Sequence, residues 1–417
     1  MNAAQKKRIH ILYLTAEQWP TFRSDLIVLF GKYLPRYGVT CDLVTERDVD
    51  AESTTDTKWG AGTTVLCRVP KNRAMQYLIK FWHCIYALIS MDASRYDVVQ
   101  VRDMPVIALF ALIAARIKGL PFIYWMSFPQ SEGQVFRAKA RGPKAGIRYW
   151  FPLIQGTLGK WVLYKLVLPR SDHVFLQSAQ MVEDVATYGI AKSKLTPVPM
   201  GVDLEASLAD AISPVQDSRL DGKRPVVYLG TLDRSRGIEL LFEMMTIVRK
   251  SCPDIVLILV GDTEDAAHRD WLKSEARRLG VDDLVIWTGW VSTKDAWSYV
   301  KSAQIGLSPF PRGYLLDSAS PTKAVEYMAI GLPVIVNDNP DQEVVVTESK
   351  GGVCVKLDAS AFASALVTMM EDPEQLKRMG EMGREYISRT RGYDRLAMMV
   401  MQSYIDFFNS STNTSGQ

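Results

Sequence analysis

The stretch Ser318-Ala-Ser-Pro-Thr-Lys-Ala-Val-Glu326 places hydroxyls, a cation and a carboxylate at helical spacing. Ser320 suits a helix N-cap, and Pro321 suits the first helical position, where its missing N–H would be unpaired anyway. Gly331 and Pro333 end the pattern, so a helix is predicted from about Pro321 to Ile330. Its start offers free backbone N–H groups and the positive end of the helix dipole, reinforced by Lys323 and by the Ser320 and Thr322 hydroxyls. That is chemistry for a phosphate. Thr322 and Glu326 lie four apart on one face, which sets the carboxylate one turn, roughly 5.4 Å, deeper. A nucleoside diphosphate carries its ribose hydroxyls at about that depth. The same residues also fit an ordinary αβ unit in which Glu326 is solvated and Lys323 is its i,i+3 partner.

Three more loops offer related chemistry, each following an apolar run. Gly230-Thr-Leu-Asp-Arg-Ser-Arg-Gly237 follows Pro225–Leu229; its glycine permits close backbone approach, and Arg234 and Arg236 carry forked donors suited to a diphosphate. Gly261-Asp262 follows Ile255–Val260, and Thr288-Gly289 follows Leu284–Trp287, with backbone able to bond a base edge. Each alone reads equally as a turn. Together Gly230, Thr231, Gly261, Thr288, Gly289, Ser318, Ser320, Pro321, Thr322 and Glu326 outline a donor-binding rim, with Arg236, Lys323 and Arg234 as the catalytic cations. No Asp-x-Asp follows an apolar strand, so no metal ligand is assigned.

The elements that must position these residues alternate. Ile9–Thr15, Cys41–Thr45, Val65–Val69, Tyr96–Val101, Phe122–Met126, His173–Gln177 and Lys194–Pro199 are short apolar runs of buried-strand type, separated by helical spacing. The pattern lapses from about Leu204 to Lys223, then restarts with Pro225–Leu229, Ile255–Val260, Leu284–Trp287, Ile305–Leu307 and Pro333–Val336. Two doubly wound α/β halves joined by a linker are expected: residues 1–204, completed by about 392–408, a linker at 205–223, and 224–391. Ligands of such sheets collect at the carboxyl ends of the strands. Residues 409–417 are polar and are expected to be a disordered tail.

Composition narrows the function classes. Apolar residues form 47% and charged residues 23% of 417, and the net charge of +3 gives no global field for nucleic acid. Five dispersed cysteines without a Cys-x-x-Cys suggest neither a disulfide framework nor zinc, and fit a reducing cytoplasm. The polar, basic start Met1–Lys7 lacks the features of a secretory signal, and Ala74–Met91 is interrupted by Gln76, Lys80 and His83, so it reads as an amphipathic or buried helix. Between Glu132 and Asp172 no acid occurs, while arginines and lysines alternate with Tyr149, Trp150, Phe151, Trp161 and Tyr164; Trp59–Met91 is similar. Such stretches suit an anionic membrane surface, a solvated helix face or, less well, RNA.

The combination resembles retaining family-4 glycosyltransferases of the GT-B fold. The resemblance runs over almost the whole chain. It is carried by Asp97-Val-Val, Val198-Pro-Met-Gly-Val-Asp203, Tyr228-Leu-Gly-Thr-Leu through Arg236-Gly237, Leu259-Val-Gly261, Thr288-Gly289, and Ser320-Pro-Thr-Lys-Ala-Val-Glu-Tyr-Met-Ala-Ile-Gly-Leu-Pro-Val334. It implies two Rossmann-like domains facing across a cleft, with a C-terminal helix crossing back to the first. It also implies a nucleoside diphosphate sugar, UDP- or GDP-linked, as donor, with no cofactor. Glu326 matches the second carboxylate of the family's Glu-x7-Glu motif, a ribose ligand; the first falls at Ser318, leaving Asp317 as the nearby carboxylate. Arg236 stands at the family's phosphate-binding lysine, and Arg234 supplies the cation missing at Thr231. The first domain lacks the usual glycine-rich turn, which is replaced by Gln18–Asp25, and the usual histidine, near Trp125–Pro129. Ser24, Arg102, Asp103 and Ser127 are the acceptor-binding candidates there. The implied setting is bacterial exopolysaccharide, capsule or lipopolysaccharide assembly on a polyprenyl-diphosphate-linked saccharide, at the inner face of the cell membrane. Alternatives are an epimerase or phosphorylase on the same fold, or a non-catalytic two-lobed binding protein.

Overall fold

The computed structural model describes residues 8–21, 23–47, 58–68, 72–206 and 212–414. Two compact units emerge, one formed by Met1–Pro199 with Tyr393–Gln417, the other by Met200–Gly392.

In the first unit, β1 (Ile9–Trp19), β2 (Val39–Arg47), β3 (Lys58–Trp59), β4 (Gly62–Cys67), β5 (Val98–Arg102), β6 (Phe122–Met126), β7 (His173–Leu176) and β8 (Leu195–Pro197) form one sheet in the order β3-β4-β2-β1-β5-β6-β7-β8. Only the two-residue β3 runs antiparallel to its neighbour. Runs such as Phe122-Ile-Tyr-Trp-Met126 are buried on both faces because helices cover both sides of a parallel sheet. One face packs under the helices Arg73–Ser90 and Pro105–Ile117. The other packs under Asp25–Tyr33 and the C-terminal helix Tyr393–Thr414, whose Leu396, Ala397, Val400 and Tyr404 enter that core.

The second unit carries β9 (Arg224–Leu229), β10 (Ile255–Val260), β11 (Val285–Gly289), β12 (Ile305–Ser308), β13 (Val334–Asn337) and β14 (Gly352–Val355), all parallel, in the order β11-β10-β9-β12-β13-β14. The chain steps outward from β9 in one direction and resumes at β12 in the other. The crevice beyond β9 and β12 is therefore the topological switch point.

Three sequence expectations change. β14 escapes the pattern because its four residues, next to Gly351, are only partly buried at a sheet edge. Within the segment read as a linker, residues 212–223 pack on the second unit, since Val215 N–H bonds the Ser298 carbonyl and Ser302 Oγ, and Tyr299 Oη bonds Asp217. The last helix continues to Thr414 rather than ending in a disordered tail from Asn409; no Gly or Pro interrupts it before Gly416, and an established helix extends at little cost. Residues 415–417 lie outside the described residues.

A buried ionic network closes the second unit on itself. Arg391 Nη2 donates to Asp341 Oδ1 at 2.6 Å, Ser320 Oγ donates to Asp341 Oδ2 at 2.7 Å, and Met200 N–H donates to Ser320 Oγ at 2.9 Å. The Val202 N–H also bonds the Arg391 carbonyl. The segments at Met200, Ser320 and Arg391 are thus tied together around one carboxylate. Removing one member of a buried pair strands the other charge. Asp341→Ala is therefore expected to cost about 3–5 kcal/mol in urea unfolding followed by a probe in this unit. A loss below about 1 kcal/mol would show that the network is not structural.

Candidate functional site

The strand ends of the second unit meet on bare backbone. The Leu229 N–H donates to the buried Tyr327 hydroxyl at 2.7 Å, tying the end of β9 to the helix Thr322–Ala329. Gly230 follows with φ 144°, and a Cβ there would stand 2.8 Å from Lys323 Cε. Gly261, at φ 123°, presses on Gly230 so closely that any Cβ would collide with the Gly230 carbonyl. Only glycine satisfies both demands. Gly261 is bridged to Gly289, and its N–H bonds Thr288 Oγ1 at 3.3 Å, so the three loops read from the sequence do converge.

Charge gathers on this platform. Lys323 Nζ lies 5.1 Å from the centre of the Tyr228 ring, a cation–π contact. Burial and the neighbouring Arg236 push the Lys323 ammonium down to about 8, with Glu326 opposing them. Arg236 is itself half-buried, and its Nε has no hydrogen-bond partner among the described residues. Two cations thus stand together. Glu326 is intermediate in exposure, yet burial pushes its carboxyl upward, held back by Lys323 and by a hydrogen bond from Thr322.

The helix itself begins at Thr322, with Pro321 in extended conformation at the capping position and no side chain capping the first N–H groups. Ser320, read as the cap, instead spends its hydroxyl on Asp341 and Met200. A buried carboxylate outcompetes a helix end for that hydroxyl, so Ser320 positions the loop and is not free to bind a ligand. Ser318 is also buried and bonds the Tyr314 carbonyl, and Asp317 is clamped by Arg312 at 2.7 Å. Neither stands free in place of the family's first carboxylate. Arg234 is exposed beside Asp265 at 3.5 Å, whereas Arg236, two residues on, joins Lys323. Thr231 accepts the Tyr228 hydroxyl on its carbonyl.

In the first unit three of the four acceptor candidates, Arg102, Asp103 and Ser127, form an internal network at the carboxyl ends of β5 and β6, and Ser24 lies apart from it. Arg102, 1% exposed, pairs with Asp25 at 2.8 Å and with Asp103 at 3.4 Å. Asp103 takes the hydroxyl and N–H of Ser127, and burial raises its carboxyl despite Arg102 and these bonds. The Ser24 hydroxyl is engaged with Tyr393 at 2.9 Å. Arg102 and Ser24 accordingly brace the sheet, while Asp103 also borders a cavity of about 420 Å³.

The basic stretches become the helices Arg73–Ser90, Gln130–Arg141 and Ile147–Val162. Trp82, Tyr86, Phe136, Ile147, Trp150, Phe151, Ile154 and Trp161 are all exposed, Ile147 by 79%. Tyr164 departs from the expectation, being buried and stacked on Tyr188 at 3.9 Å. No helix is long and apolar enough to cross a membrane, and no group of three metal-ligating side chains occurs among the described residues.

Asp341, Arg391, Tyr228 and Tyr327 were missed as site residues. The tyrosines sit within the quoted motifs, but the Asp341–Arg391 pair spans 50 residues and has no local signature.

The same two units are matched by known proteins. A family model described as "Glycosyl transferases group 1" matches residues 214–386, and one described as "Glycosyl transferase 4-like domain" matches 29–201. The chain is 21% identical to a glycogen synthase of Mycobacterium tuberculosis over 318 residues, 75% of this chain and 69% of that one. It is 28% identical over 217 residues to the GDP-mannose-dependent alpha-(1-6)-phosphatidylinositol monomannoside mannosyltransferase of Mycolicibacterium smegmatis, 49% of this chain and 56% of the relative. Among solved structures, the sucrose-phosphate synthase of Thermosynechococcus elongatus superposes with a TM-score of 0.70 at 19% identity, covering 97% of this chain and all of that one. Anabaena HepE in complex with UDP-glucose does so at 0.64 and 14%, covering 96% and 100%. These likenesses show the fold.

A lysine held near 8 makes anion binding depend on pH. Lys323 is charged below that value and loses its charge above it, so the affinity of the free protein for uridine diphosphate should fall by up to roughly tenfold per pH unit above pH 8. Lys323→Arg should flatten the profile; an equally steep wild-type-like profile in that variant would assign the titration elsewhere.

Proposed function

Since the chain belongs to the family-4-like glycosyltransferases of the GT-B fold, we propose that it moves a sugar from a UDP- or GDP-sugar to a lipid-linked saccharide, with retention of configuration. The observation that carries this reading is the pairing of Lys323 with Arg236. The neighbouring Arg236 disfavours the charge on Lys323, and a diphosphate bound there relieves that repulsion. Breaking the anomeric bond places charge on the departing β-phosphate. Donors fixed in advance then stabilise the transition state more than the ground state. Lys323, Arg236 and the uncapped N–H groups beginning at Thr322 fill that role, and the scheme needs no metal. Glu326, one turn further, takes the ribose hydroxyls.

A nucleotide-sugar donor accords with the UDP-glucose complex of Anabaena HepE, and a lipid acceptor with the phosphatidylinositol mannoside named for the mycolicibacterial relative. The exposed aromatic helices and the turn joining them, bearing Lys139, Arg141, Lys144 and Arg148, suit the anionic inner face of a cell membrane, where each well-placed cation contributes about 1 kcal/mol. An enzyme so placed meets polyprenyl-linked intermediates of surface-polysaccharide assembly.

Arg236→Ala and Lys323→Ala should each lower turnover by about tenfold or more, one lost charged contact being worth at least 1.4 kcal/mol. Wild-type rates in both would remove the assignment. Glu326→Ala should weaken nucleotide binding measured by calorimetry, with little change in turnover at saturating donor. Flotation with anionic liposomes should recover the protein at low salt and release it at high salt; binding indifferent to lipid charge would refute the membrane placement.

A further inference from the structure

The loops that follow β10 and β11 leave one carboxylate oxygen open. Asp262 comes directly after Gly261, and its side chain is only 16% exposed. Its Oδ1 accepts the Thr263 N–H and the Arg269 Nε–H, both at 2.7 Å, and Arg269 Nη2 also donates to the Thr263 carbonyl at 2.6 Å. The Asp262 carbonyl in turn accepts the Leu232 N–H at 2.9 Å. A carboxylate fastened at so many points keeps one orientation. Its Oδ2 accepts no hydrogen bond from any described residue. That oxygen faces Gly289, where a Cβ would stand 3.9 Å from it. Gly289 has φ 68°, a conformation that favours glycine, so no side chain screens the oxygen there.

The groups around it are already engaged or apolar. Thr288 Oγ1 accepts the Gly261 N–H and donates to the Gly289 carbonyl at 2.9 Å. Trp290, the next residue, is 59% exposed and offers a flat apolar face. An aromatic face beside an open acceptor provides what a heteroaromatic ring needs, stacking area and a hydrogen bond at its edge. In the sheet β10 separates β11 from β9, whose end carries Gly230 and Lys323 above it. Two strand spacings, roughly 10 Å, leave room for a ribose between a phosphate and a base.

The open group discriminates among bases by its sign. Uracil presents one N–H between two carbonyls, which a carboxylate repels. Adenine and cytosine set a ring-nitrogen acceptor beside their amino group. Guanine presents two adjacent donors, N1–H and the 2-amino group, and an oxygen with two free lone pairs accepts both.

We propose that Asp262 reads the donor base and selects guanine, with Trp290 as the stacking face, so that the donor is a GDP-sugar. This rests on the transferase reading and adds which nucleotide it uses.

The test is calorimetry on the full chain with guanosine, inosine and uridine diphosphates, inosine lacking only the 2-amino group. Hydrogen bonds to a charged oxygen should make guanosine diphosphate at least about tenfold tighter than uridine diphosphate, with inosine diphosphate between them. Asp262→Asn should shrink the guanosine-to-uridine preference by about fivefold or more. Trp290→Ala should weaken guanosine diphosphate binding by about fivefold or more. Uridine diphosphate binding as tightly as guanosine diphosphate, or a preference unchanged in Asp262→Asn, would overturn the proposal, and full affinity in Trp290→Ala would remove the stacking face. The wild-type order of affinities decides the question even if a variant fails to fold. Absence of binding by all three nucleotides would instead sink the donor reading itself.

Discussion

The close passage of Gly230 and Gly261 is the constraint from which the placement of Lys323 at the strand ends follows. Strands β9 and β10 end side by side, and each continues into backbone that carries no side chain where the two meet. Lys323 can then lie across Gly230, over the ring of Tyr228, instead of extending into solvent. A single methyl at Gly230 would push Lys323 aside, and one at Gly261 would lift its loop from Gly230. The position of this cation is set by absent side chains as much as by charged ones.

A second constraint acts on the helix start from behind. Asp341 and Arg391 are both buried, and Ser320 is the hydroxyl that satisfies the carboxylate's other oxygen. That leaves the first turn at Thr322 uncapped, its N–H groups open at the rim. An ordinary N-cap would have occupied them. The helix forgoes about 1 kcal/mol of capping, and the open end keeps its pull on an anion.

The first unit answers a different demand. Its sheet is braced by Arg102 between Asp25 and Asp103, an internal ion cluster with almost no solvent contact. Around that brace the helical hairpin of Gln130–Arg141 and Ile147–Val162 turns apolar surface outward and amide groups inward.

Much of this was legible in the residue order. Phe122–Met126 and Ile255–Val260 coincide with the observed strands because a run buried on both faces needs no neighbour to declare itself, and the motif from Pro321 to Val334 announced a helix start with a cation and a carboxylate. Local spacing could not tell Arg234 from Arg236, since both fit the same loop; only the folded turn leaves one beside Asp265 in solvent and brings the other to Lys323. Nor could it show that Ser320 would serve Asp341 instead of the helix, or that Arg102 and Ser24 would face inward. Periodicity and end signals are properties of neighbours in sequence, so the chain alone determined its elements and its family. Which hydroxyl, cation or amide remains unpaired depends on partners tens to hundreds of residues away, and that was decided only when the sheets closed.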